Sequence, residues 1–209
     1  MSKAAALKQG YTTGARRMAT RSISGLAKTR ITPDALTVAG VSLCFVASVL
    51  VLFQSHGELL FFWLGAVVFV AGSILDILDG ALARAGGKAT TFGAFLDSTT
   101  DRVGEFFMLA AIAYVFAVDG RDVFVVVAVA AVAGSLLVSY TRARAEALGL
   151  KGDVGIGSRA ERVVVITAGL VLAPWGVLPW AIALLTATAW ITVAQRVLHV
   201  RKQLLEANK

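Results

Sequence analysis

Apolar residues gather in six runs, at positions 35–53, 59–75, 92–118, 123–140, 163–173 and 177–194, separated by short polar or charged connections. Several of these runs approach the roughly 20 residues that cross the hydrocarbon layer of a bilayer. The last two are divided only by Pro174, Gly176 and Pro179 and are expected to form two short spans. The pattern predicts an all-α integral membrane protein with six transmembrane helices. Composition agrees, since 57% of the 209 residues are hydrophobic and the mean hydropathy is +0.77, too apolar for an ordinary soluble domain.

Charge orients the spans. All but Arg102 and Arg121 of the 20 Lys and Arg residues fall in the N-terminal segment, the second-to-third connection, the stretch after the fourth run, and the C-terminal end. The positive-inside rule therefore puts both termini and that connection in the cytoplasm of a multi-pass protein of the cell membrane. Termini on one side require an even number of spans, which supports six independently of hydropathy. A net charge of +7 favours anionic lipid headgroups. Nucleic acid is not an expected partner, because the cations hug span ends.

Residues 1–31 form a basic juxtamembrane segment in which Ala, Leu, Met and Ile alternate with Lys and Arg. They are expected to form an amphipathic helix on the cytoplasmic membrane surface; Gly10 and Gly14 leave a basic tail as the alternative. The first 27 residues lack an apolar core of signal-peptide length, so no cleaved leader is expected. No internal repeat is visible, which gives one membrane domain at 32–200 and a cytoplasmic tail at 201–209. Cys44 stands alone in an apolar run and is read as inert packing.

Against this apolar background stands DILDGALARAGGKATTFGAFLDSTTD. It follows D-x2-D-G-x2-A-R-x8-G-x3-D-x3-D, with Asp76, Asp79, Gly80, Ala83, Arg84, Gly93, Asp97 and Asp101 at the fixed positions. On helices, 76, 79, 80 and 83 share one face, as do 93, 97 and 101. Adjacent helices would bring four carboxylates together. Each uncompensated Asp near a bilayer centre costs roughly 2.5–3.5 kcal/mol, so the group needs a counter-charge. Carboxylates without accompanying Cys or His suit Mg²⁺, Mn²⁺ or Ca²⁺ rather than zinc. With Arg84 and close-approach glycines nearby, the expected ligand is a phosphate ester.

All eight fixed positions resemble the signature of the CDP-alcohol phosphotransferase family. The resemblance implies transfer of the phosphatidyl group of CDP-diacylglycerol, or a related CDP-alcohol, to a hydroxyl acceptor with release of CMP. It implies that Asp76, Asp79, Asp97 and Asp101 bind Mg²⁺, with Mn²⁺ as the alternative ion, and that Asp101 is also the catalytic base. Gly80 and Arg84 would contact the cytidine nucleotide and its phosphates. Asp34 and Thr37, in the Thr32-Pro33-Asp34 entry to the first run, and Thr90 in the connection would add nucleotide-side contacts. Thr32-Pro33-Asp34 is equally an ordinary helix start. A homodimer is also implied.

A narrower resemblance concerns the acceptor. SYTRARAE, RAER and a late QR are similar to the branch that uses inositol phosphate, so Ser139, Arg142, Arg162 and Arg196 would hold the acceptor phosphate. Guanidinium groups match phosphate bidentately. A departure from the pattern is Ser158, where many members carry an acidic residue, and it bears most on the adjacent Arg159. Glycerol 3-phosphate as acceptor, or an archaeal ether-lipid donor, would use the same chemistry. Outside this class, intramembrane carboxylates also mark cation or proton transporters.

Overall fold

The computed structural model describes residues 32–207, so the expected surface helix at 1–31 lies outside the described residues. Those residues form six α-helices: α1 Pro33–Leu52, α2 Glu58–Ala85, α3 Thr91–Val118, α4 Asp122–Ala147, α5 Arg159–Val171 and α6 Leu178–Ala207. Short 3₁₀ turns, Gln54–His56 and Ala173–Trp175, follow α1 and α5. No strand occurs among the described residues.

Four helices, α1, α2, α4 and α6, are long and apolar enough to cross a membrane. The other two of the six expected spans fall outside this group, for different reasons. At 28 residues α3 is long enough, but Asp97, Asp101, Arg102 and Glu105 crowd it from its second turn to its middle. With only 13 residues, α5 reaches about 20 Å at 1.5 Å per residue, short of the roughly 30 Å hydrocarbon layer. Elsewhere the helices overrun the apolar runs. Helix α2 continues past Leu75 to Ala85 and carries the first half of the motif, and α6 passes position 200 without a break.

The helices pack as a ring in the order α1, α3, α4, α6, α5, α2 and back to α1. Large side chains fill its centre, among them Phe62, Phe69, Met108, Ile112, Phe116, Ile166 and Ile182. The outward faces are apolar too: Val67, Val123, Val126 and Trp180 are 67–73% exposed. Helices apolar on both faces belong in lipid.

Glycine permits the close approach of α1 to its two neighbours. A Cβ on Gly72 of α2 would lie 2.7 Å from the Gly40 carbonyl oxygen of α1, and one on Gly104 of α3 would meet the Cys44 Cβ at 3.1 Å. Small residues thus let α1 wedge between α2 and α3, with close backbone approach replacing the hydrophobic drive that lipid removes. Cys44, buried at this junction, is packing as expected. Because helix direction alternates, the start of α1, end of α2, start of α3, end of α4, start of α5 and late α6 all meet at one end of the ring.

Candidate functional site

That end holds the motif. Asp76 and Asp79 lie one turn apart on the inward face of α2 and are buried; Asp97 and Asp101 lie one turn apart on α3 and are half-buried. Carboxylate oxygens of Asp76, Asp97 and Asp101 come within 4.8 Å of one another. Asp79 stands beside them with its Oδ2 accepting a hydrogen bond from the Thr37 hydroxyl of α1. Two helices that barely touch each other therefore pool their acids across the wedge of α1.

The group suits a hard cation. No His or Cys joins it. Among the described residues, Asp79 Oδ1 and Asp101 Oδ1 are buried without a hydrogen-bond partner. Buried anionic oxygens without hydrogen bonds are costly, and divalent cations would supply partners for them. Arg159, at the start of α5, supplies part of the counter-charge: its Nη1 pairs with Asp76 Oδ2 and lies 2.7 Å from Asp101 Oδ1. The contact to Asp101 is an ion pair without hydrogen-bond direction.

Two cavities flank the carboxylates. The first, of about 130 Å³, is bounded by Asp34 and Thr37 from α1, Asp79, Gly80 and Arg84 from α2, and Thr90, Gly93 and Asp97 around the start of α3. Its shape follows from local chemistry. Thr32 caps α1 by accepting from the Ala35 N–H at 3.2 Å, and Thr90 caps α3 by accepting from the Gly93 N–H at 2.9 Å. A Cβ on Gly93 would crowd Thr90 Oγ1 at 3.0 Å and Asp34 Oδ1 at 3.2 Å. Arg84, one turn after Gly80, has no ion-pair partner among the described residues. All five nucleotide-side positions suggested by the sequence thus line one cleft.

The second cavity, about 400 Å³, is lined by Asp101, Ser139, Arg142, Arg159, Arg162 and Arg196, among others. All four acceptor positions suggested by the sequence meet here. Arg142 pairs with Glu146 at 2.9 Å. Arg196 donates to the carbonyls of Val138 and, at 2.8 Å, Val154. The connection from α4 to α5 forms one wall and is strapped to α6, where Thr192 donates to Ile156 O and Gln203 exchanges two hydrogen bonds with Lys151. A Cβ on Gly155 would lie 2.3 Å from Thr192 Cγ2, so glycine is needed for that approach.

Ser158 has a local task of its own. It caps α5 in a reciprocal box with Glu161, whose carboxylate accepts from the Ser158 N–H at 2.6 Å and the Gly157 N–H at 2.9 Å. These donors, the Ser158 N–H foremost, hold the Glu161 carboxyl below the usual carboxylate range. The cap fixes where α5 begins and hence where Arg159 and Arg162 emerge.

Two contacts went unread in the sequence. The reach of Arg159 to the aspartates depends on α5 packing beside α2, which no spacing reveals. Glu105 did leave a signal: it continues the 93, 97, 101 stripe by one turn inside an apolar run, where a lone Glu needs a partner. That partner is Arg162, whose Nε and Nη2 donate to the two Glu105 oxygens at 2.8 Å each.

Comparison with known proteins agrees with this geometry. The family model described as CDP-alcohol phosphatidyltransferase matches residues 30–198. A phosphatidylinositol phosphate synthase of Mycolicibacterium smegmatis is 40% identical over 179 residues, covering 82% of this chain and 78% of its own. An archaetidylinositol phosphate synthase of Methanothermobacter thermautotrophicus is 40% identical over 144 residues, 67% of this chain and 71% of its own. Crystal structures of the Mycobacterium tuberculosis phosphatidylinositol phosphate synthase align as well. The form with CDP-DAG bound has a TM-score of 0.77 and 32% identity over 88% of this chain and 94% of that one. The complex with manganese and citrate has a TM-score of 0.77 and 33% identity over 87% and 88%. With its motif complete and the family model spanning most of its length, the chain belongs to the CDP-alcohol phosphatidyltransferase family.

Proposed function

We propose that this enzyme transfers the phosphatidyl group of CDP-diacylglycerol to the hydroxyl of inositol phosphate, releasing CMP and forming phosphatidylinositol phosphate. The observation that carries the proposal is the placement of Asp101, which belongs to the carboxylate group and also lines the arginine-rich cavity. The smaller cavity is read as the nucleotide cleft, where Arg84 and the α3 N-terminus face the pyrophosphate and Gly80 and Gly93 allow its close approach. Asp34, Thr37 and Thr90 complete that cleft. Ser139, Arg142, Arg162 and Arg196 hold the acceptor phosphate in the larger one.

Held by Asp76, Asp79, Asp97 and Asp101, Mg²⁺ or Mn²⁺ would neutralise charge on the leaving CMP and polarise the attacked phosphorus. The chain's own residues do the rest. Thr37 fixes one oxygen of Asp79. Asp101, which joins the carboxylate group to the larger cavity, takes the proton from the acceptor hydroxyl as the hydroxyl oxygen bonds to the lipid-side phosphorus. The bond from that phosphorus to the CMP oxygen breaks, and CMP departs through the smaller cleft.

The proposal extends to a multi-pass protein of the cytoplasmic membrane, with six spans, the site facing the cytoplasm, and a homodimeric assembly. Orientation is supported by the concentration of Lys and Arg at the cavity end of the ring, and the dimer by the family resemblance. The test is CMP release from purified protein in lipid with Mg²⁺, comparing inositol phosphate, glycerol 3-phosphate and no acceptor, each with a diacyl and an ether-lipid CDP donor. Turnover is expected with inositol phosphate and should vanish on chelation of the metal. Turnover with glycerol 3-phosphate and none with inositol phosphate would refute the acceptor assignment.

A further inference from the structure

Glu105 follows Asp101 by one turn on α3, yet it is not part of the carboxylate group that could share an ion. It is committed to one partner. Arg162 Nε and Nη2 donate in parallel to Glu105 Oε1 and Oε2 at 2.8 Å each, a bidentate fork whose side chains are 8% and 9% exposed. Arg162 Nη1 donates to the Gly157 carbonyl at 3.1 Å. Helices α3 and α5 are not neighbours in the ring, so the pair reaches across it behind the larger cavity.

A guanidinium carries five N–H donors, and Glu105 and Gly157 occupy three. The two left over belong to Nη1 and Nη2, and Arg162 still lines the cavity beside Ser139, Arg142 and Arg196. The same cavity holds Asp101, Asp153 and Glu161, carboxylates to which an untethered guanidinium could turn. Replacing such a buried pair by apolar residues often costs no stability, so stability alone does not account for its presence.

We propose that Glu105 is a positioning residue for the acceptor: it clamps the Nε–Nη2 edge of Arg162 so that the remaining Nη1 and Nη2 donors face the acceptor phosphate. This rests on the reading of the larger cavity as the inositol phosphate site. The carboxylate touches neither substrate nor the reacting atoms; it acts through Arg162. A structural strut would affect the melting temperature and leave acceptor affinity alone, whereas a positioning residue changes acceptor affinity and does so only while Arg162 is present.

The experiment uses the full chain in lipid nanodiscs and measures acceptor KM and kcat, CDP-diacylglycerol affinity and melting temperature. Variants are Glu105→Gln, Glu105→Asp, Arg162→Gln and the double Glu105→Gln/Arg162→Gln. Glu105→Gln is expected to raise the inositol phosphate KM about tenfold while donor affinity shifts less than about twofold, and Glu105→Asp to recover part of that loss. In the Arg162→Gln background, Glu105→Gln should add less than about twofold.

An unchanged KM in Glu105→Gln, with a raised KM in Arg162→Gln, overturns the inference and leaves the acceptor site standing. A further multiplicative rise in the double variant also overturns it, and this comparison serves if Glu105→Gln alone does not fold. Should Arg142→Gln, Arg162→Gln and Arg196→Gln all leave the KM unchanged, the acceptor site itself is wrong and the inference falls with it.

Discussion

In the proposed reaction Asp101 is the residue on which the two halves meet, because it shares the carboxylate group with Asp76 and Asp97 while lining the arginine-rich cavity. Replacing it by Asn keeps the size and removes the proton acceptor. Asp101→Asn should slow CMP release by about 100-fold or more, the usual worth of a general base. Donor affinity, measured separately by CDP-diacylglycerol binding, should change by less than about threefold because Asp76, Asp79, Asp97 and the cleft residues remain. Full activity in this variant would remove Asp101 as the base. At this scale the sequence was most legible where chemistry repeats at helical spacing: the four aspartates, Gly80, Gly93 and Arg84 lie where a turn of three or four residues puts them. Arg159 and Glu105 were not legible as partners. An ion pair between residues 83 or 57 positions apart depends on which helices become neighbours or face one another, and periodicity within one helix says nothing of that.

Elements were legible where an apolar run and its capping chemistry coincide. Thr32-Pro33-Asp34 opens α1 as the sequence suggests, and Pro174 with Gly176 separates α5 from α6. Helix ends were less so, because α2 and α6 carry polar residues well beyond their apolar runs while hydrogen bonding within the helix continues undisturbed. The α1–α2 contact gives a test with opposing effects. Gly72→Ala should gain up to about 1 kcal/mol of helix propensity. Against this, its Cβ would lie 2.7 Å from the Gly40 carbonyl oxygen, a backbone atom with no rotamer to escape into. Overpacking typically costs about 1–3 kcal/mol, so the clash should win. The variant is expected to melt at a lower temperature in detergent and to lose donor affinity as α1 moves Thr37 off Asp79. A melting temperature equal to or above the parent's would mean that the helices can part without cost.

At the scale of the described residues, six helices alternating in direction place every candidate site residue at one end of the ring, and the described cations are concentrated there too. Function and topology are thereby tied: if the donor's nucleotide comes from the cytoplasm, that end must face it. Helix α4 offers a clean test, since its 26 residues extend about 39 Å, long enough to bring its ends out on opposite faces of a bilayer. Asp122 starts it, Ala147 ends it, and both are exposed. The single native cysteine, Cys44, is buried and should contribute little background. In intact cells, a membrane-impermeant maleimide is expected to label Asp122→Cys and spare Ala147→Cys; in inverted vesicles the pattern should reverse. Labelling of Ala147→Cys from outside intact cells would put the arginine-rich cavity on the wrong side of the membrane for a cytosolic sugar phosphate, and the proposed reaction could not proceed in that orientation.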